Sequence, residues 1–170
     1  DARRTKAKEE AHGEGTRRNH GAIRRLFMDF PLTQRQQEII RFYHLNPFIE
    51  YLHAAVVPKP DGTVELRLMI EPEHTNLYNI VHGGVLMTLA DTAMGAAALA
   101  RNKKVVTMSL SMDFMHAVPL AKTIIATGIC LHDGKHAMTL ESEIKDEDGK
   151  IYAKGHGTFY VLGKFLEDEN

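Results

Sequence analysis

The sequence predicts an α+β fold in which one curved antiparallel sheet wraps around one long central helix. Three observations predict it. Residues 85–100 form an uncharged, apolar run broken only by Asp91 and crowded with alanine and glycine. Four segments after it carry strand patterning between turn signals. A further hairpin pattern, with Asp61-Gly62 in its turn, precedes it. A chain of 170 residues that is 44% hydrophobic is enough for one domain with its own core.

Residues 1–32 are polar, basic and weakly patterned. Together with the next helix they are set apart as an N-terminal basic arm and helix, residues 1–46, ahead of a folded domain over 47–165. Thr33-Gln-Arg-Gln36 reads as a capping box opening an amphipathic helix with Ile39, Ile40, Phe42 and Tyr43. Asn46-Pro47 is an N-cap followed by proline at the first helical position, restarting a short helix through Leu52. The hairpin follows, with arms over 54–57 and 64–70, and Glu71-Pro72 closes it. The long helix starts at His82-Gly83-Gly84 and runs to about Arg101. Val106, Met108, Leu110, Met112 and Phe114 then alternate with polar residues, so Met108 and Met112 read as core. Strands over 123–131, 137–145 and 151–162 complete the chain, joined at His132-Asp133-Gly134-Lys135 and Asp146-Glu-Asp-Gly149.

Composition narrows the function classes. The 21 basic and 22 acidic residues nearly cancel, and only residues 1–35 are locally basic, with nine Lys/Arg against five Asp/Glu. With no helix-turn-helix pattern in that stretch, no nucleic acid is expected. The long apolar run is shorter than a membrane span of about 20 residues and carries Asp91 near its middle, so no membrane is expected and the location predicted is cytoplasmic. Cys130 is a single cysteine in an apolar strand and reads as a buried, inert thiol. His132, His136 and His156 form no dense ligand spacing, so no metal is expected.

The chemistry gathers at the mouth of the long helix. Gly83 and Gly84 leave backbone N–H groups uncovered at the positive end of the helix dipole, where a carbonyl oxygen gaining charge would be stabilised. Asp91 supplies a base or a nucleophile in an otherwise apolar setting, where an unpaired carboxylate is costly to keep. That pairing is the chemistry of acyl transfer. Read blandly, His-Gly-Gly is a tight turn, Asn76 a loop residue and Thr107 a polar strand position.

The segment Asn76…His82-Gly83-Gly84…Leu89-Ala90-Asp91-Thr92-Ala93 resembles the PaaI-like acyl-CoA thioesterases of the hotdog fold. An Asn six residues before the His, and a carboxylate nine after it, are that family's spacing. The likeness covers about residues 47–162. It implies that the Gly83 N–H polarises the thioester carbonyl and that Asp91 activates water or attacks directly. It also implies that Asn76 positions water or thioester, that Thr107 helps orient the water, and that His82 supports the loop. Asn79 departs from the pattern, standing where many relatives have glycine, although Asn tolerates left-handed backbone angles. Gly84, Arg101, Lys103 and Lys104 are candidates for holding the substrate, the three cations for its CoA end.

Gly83 and Asp91 lie eight residues apart on one helix, roughly 12 Å along its axis. An aspartate side chain does not close that gap, so a second subunit is expected to supply one of the two groups. The expected assembly is a homodimer, as a dimer of dimers, that hydrolyses an acyl-CoA thioester without a cofactor. The alternatives are an acyl-CoA-sensing hotdog protein without enzymatic activity, and a hotdog hydratase/dehydratase.

Overall fold

The computed structural model describes residues 30–167, so most of the predicted basic arm falls outside the described residues. Helix α1 spans Gln34–His44, and its capping box forms as the residues require: Thr33 Oγ1 accepts from the Gln36 N–H, and Gln36 Oε1 accepts from the Thr33 N–H. Although grouped with the arm on sequence grounds, this helix buries Ile39 and Tyr43 in the core and belongs to the compact unit that begins at Leu32. Helix α2, Pro47–Tyr51, starts where Asn46 Oδ1 accepts from the Phe48 N–H.

Strands β1 (Ala55–Pro58) and β2 (Val64–Met69) make the expected hairpin, with Asp61 Oδ1 accepting from the Thr63 N–H in its turn. One 3₁₀ turn at Pro72–His74 leads to helix α3, Gly83–Ala100. Strands β3 (Lys103–Phe114), β4 (Thr123–Asp133), β5 (Ala137–Asp146) and β6 (Ile151–Lys164) follow. The six strands form one antiparallel sheet in the order β1-β2-β4-β5-β6-β3.

The core lies between α3 and the concave face of the sheet. Leu89, Ala93 and Ala96 of the helix meet Leu66, Leu68, Ile124, Ala126 and Ile144 of the strands, all essentially without solvent contact. The small helix residues allow this close seating. At Gly128 of β4 a Cβ would collide with the Ala93 carbonyl, so a side chain there would lift the helix off the sheet. The long apolar run is thus a core helix, half of it buried in the fold.

Strand β3 departs from its simple alternation. An extra residue, Met108, is inserted opposite β6 between Thr107 and Ser109. Beyond this bulge Leu110, Met112 and Phe114 face the helix, opposite Gly157, Gly155 and Ala153; before it, Thr107 shares that face with buried Phe159. Met108 was expected in the core and is instead 64% exposed, because it sits in the bulge of an edge strand; Met112 does pack against the core.

The β5–β6 turn is fastened by one carboxylate. Asp146 is buried, its Oδ1 accepting from the Asp148 and Lys150 N–H groups and its Oδ2 from the Tyr152 hydroxyl, with Lys122 Nζ at 3.0 Å. Burial works against its charge, but the Lys122 ammonium, the Lys150 N–H and the Tyr152 hydroxyl outweigh it and hold the carboxyl down at about 2.

Candidate active site

The approach to α3 is built from short-range hydrogen bonds. Asn76 Oδ1 accepts from the Tyr78 N–H at 2.8 Å, the Asn76 N–H donates to the Ile80 carbonyl, and Asn79 returns its N–H to the Asn76 carbonyl. Asn79 takes φ +57°, so the left-handed corner survives without glycine. His74, absent from the sequence-based candidates, lies beneath this turn. It is buried, its Nδ1 accepts from the Glu71 N–H, and its carbonyl accepts from the His82 N–H at 2.9 Å. No spacing rule marks His74 in the sequence; its role appears only once the chain folds back at His82.

His82 is the N-cap of α3. Its Nδ1 accepts from the Gly84 N–H at 2.9 Å and its carbonyl from the Val85 N–H. The Gly84 donor, expected to be uncovered, is therefore occupied by the cap. Gly83, at the first helical position, has no intrahelical partner by geometry, and its N–H makes no hydrogen bond among the described residues. The capping imidazole thus leaves one forward-facing donor at the positive helix end.

Asp91 lies two turns on. It is half-buried rather than buried, because it lies on the stripe of α3 formed by Gly84, Met87, Thr88, Asp91 and Gly95, which only edge strand β3 covers at Asp91. Thr107 Oγ1 donates to Asp91 Oδ1 at 2.6 Å, so the structure brings together these two predicted residues. Behind them, the buried Tyr43 hydroxyl donates to the Thr92 carbonyl at 3.1 Å. Burial, and secondarily the Asp91 charge, push that phenol well above its ordinary value, so Tyr43 stays neutral.

The structure does not gather all the predicted residues into one place. Gly83 and Asp91 are roughly 12 Å apart along a straight helix, and both are half-buried. A cavity of about 500 Å³ sits by the far end of α3, lined by Thr33, Arg35, Gln36, Ala100 and Asn102 among others, and contains none of the predicted site residues. Arg101 and Lys103 are both engaged by Asp133, Lys103 also donating to the Gly134 carbonyl, whereas Lys104 is exposed and makes no ion pair among the described residues. Of groups able to hold a metal among the described residues, His53, Glu71 and Glu73 bring ligand atoms within 4.8 Å of one another, and His53 Nδ1 already sits 3.2 Å from Glu71 Oε2.

Comparison with known proteins matches this arrangement. The Thioesterase superfamily profile matches residues 78–153. Human acyl-coenzyme A thioesterase 13 is 30% identical over 135 residues, covering 76% of this chain and 96% of that protein. The structure of the Escherichia coli PaaI protein superposes with a TM-score of 0.72 at 22% identity, over 79% of this chain and 98% of that one. The smu.793 protein of Streptococcus mutans, solved with acetyl-CoA bound, superposes with a TM-score of 0.61 at 25% identity, over 65% of this chain and 90% of that one. The sheet wrapped around one long helix is thus a shared fold, and the chain belongs to the PaaI-like hotdog thioesterases of the thioesterase superfamily.

Proposed function

We propose that this protein hydrolyses acyl-CoA thioesters at sites shared between two copies of the chain. One observation carries the reading: a single helix presents an unpaired N–H at Gly83 and a Thr107-bonded carboxylate at Asp91, each partly solvent-accessible and too far apart to act on one carbonyl. In a two-fold dimer the Gly83 of one subunit meets the Asp91 of the other, twice over. The exposed Val106 and Met108 on edge strand β3 support such an interface, and a dimer of dimers extends it. The acyl-CoA thioesterase name of the human relative and the acetyl-CoA in the Streptococcus mutans protein support the substrate class.

At such a site the thioester oxygen accepts from the Gly83 N–H, which favours the negative charge that gathers there. Asp91 then has two routes. As a base it takes a proton from water while the water oxygen bonds to the carbonyl carbon. As a nucleophile it bonds to that carbon itself, and water later cleaves the anhydride. In either route the C–S bond breaks, CoA leaves as thiolate, and the acid is released. The Thr107 hydroxyl holds the carboxylate in place, and Asn76, with its Oδ1 engaged in the turn, offers its amide N–H group towards water or thioester. The thioester is already activated and water is the acceptor, so the reaction calls for no cofactor.

The test is thiol release from a panel of acyl-CoAs. Steady CoA release that Asp91→Asn reduces at least about 100-fold is the expected result, the scale of general acid–base catalysis. No release from any acyl-CoA, or an unchanged rate in the variant, overturns the reading.

A further inference from the structure

Strand β3 touches α3 at both functional points. Near its start Thr107 meets Asp91, and at its last residue Phe114 meets Gly83. A Cβ built on Gly83 would stand 3.6 Å from Phe114 Cζ, so the ring lies directly on the helix mouth. Two residues earlier on the same face, Met112 packs against the core. Phe114 instead leaves 52% of its surface open, with one side on Gly83 and the other facing out. Met87, one turn beyond Gly83 on the same helix face, is exposed as well.

We infer that Phe114 determines which acyl groups the enzyme accepts, as the apolar wall for the acyl chain when the thioester carbonyl sits at the Gly83 N–H. This rests on the acyl-CoA reading above. A thioester carbon has two sides. The sulfur leads to a pantetheine arm whose amides need hydrogen-bonding partners, and the phenyl ring and the Met87 thioether side chain offer almost none. The acyl side leads to hydrocarbon, which gains by leaving water for such a surface. The wall also belongs to a definite half of the site. Phe114 travels with the Gly83 of its own subunit, and the Asp91 completing that site comes from the partner.

Acetyl, hexanoyl and benzoyl thioesters, each on CoA and on N-acetylcysteamine, test this in wild type, Phe114→Ala and Phe114→Leu. Phe114→Ala should lose about tenfold or more in kcat/KM for hexanoyl and benzoyl groups and under about threefold for acetyl, on both carriers. Phe114→Leu keeps an apolar side chain, and its relative preference for benzoyl over hexanoyl should fall. An equal loss for all three acyl groups, or a loss that follows the carrier, overturns the proposal; an inactive wild type overturns the underlying reading instead. Subunit mixing gives a second arm. With Asp91→Asn subunits in excess over Phe114→Ala subunits, the live site pairs an intact Phe114 with the partner's Asp91, and hexanoyl hydrolysis should return with wild-type selectivity. Recovery with the Phe114→Ala selectivity would place the ring with the wrong half-site and refute the assignment.

Discussion

Thr107 reaches Asp91 only because Met108 is an extra residue in β3: the bulge turns the Thr107 hydroxyl onto the helix side, where it donates to Asp91 Oδ1 at 2.6 Å. A hydrogen bond to a charged acceptor is worth about 1.5–3 kcal/mol. Thr107→Val removes the donor at nearly constant volume, so kcat should fall about 10- to 100-fold while Thr107→Ser keeps most of it. Steady-state kinetics of the pair decides, and equal activity in both variants would free Asp91 from Thr107.

Shared sites make a specific claim about mixed dimers. Gly83→Pro removes the N–H at the first helical position, where proline is well tolerated, and His82 already has the extended ψ of 132° that a residue before proline prefers. Gly83→Pro and Asp91→Asn homodimers should each be nearly inactive. After subunit exchange, a mixed dimer holds one intact site and one doubly broken site, so an equal mixture should recover roughly a quarter of wild-type activity. Exchange shown by mass spectrometry without recovery would defeat the composite site.

Asp146 ties stability to pH. Its folded carboxyl is held at about 2, below an unfolded value of about 3.9, so its contribution is complete above about pH 4 and is lost as pH falls towards 2. Asp146→Asn should lower Tm at pH 7, and the gap to wild type should narrow steadily between pH 4 and pH 2. A gap independent of pH in thermal melts would mean the carboxylate charge is not what holds the turn.

Among the three cations proposed for the CoA end, Lys104 is the one without an ion pair among the described residues. Lys104→Ala should raise KM for acyl-CoA about 3- to 10-fold, leave kcat nearly unchanged, and hardly affect a pantetheine thioester that lacks the nucleotide. Lys103→Ala breaks the contacts to Asp133 and Gly134, so it should act on Tm first. Equal KM effects on both substrates would remove Lys104 from the nucleotide.

Most of the fold was legible because its signals are local. The Thr33 box, the Asn46-Pro47 start, the Asp61-Gly62 hairpin and the strand turns each depend on a few adjacent residues, and each formed as expected. Asp91 and Gly83 stood out through residue type and spacing, and the structure places them on one helix with Asp91 accepting from Thr107. What stayed hidden depends on tertiary placement. A one-residue bulge reverses which face Thr107 uses, and edge position exposes Met108, yet neither changes the period-2 pattern. His74 and Tyr43 matter through carbonyls distant in sequence or in a neighbouring helix, and no motif records such bonds.

The seating of α3 at Gly128 has a consequence for control. Gly83 and Asp91 ride on one continuous helix seated closely against the sheet at Gly128, so their separation is a fixed ruler within each subunit. A lid or hinge inside the chain has nothing to adjust between them. At the shared sites proposed above, turnover would hang on how two such helices are set against each other, and dilution below the dimer dissociation constant would be the off state: specific activity should drop with protein concentration.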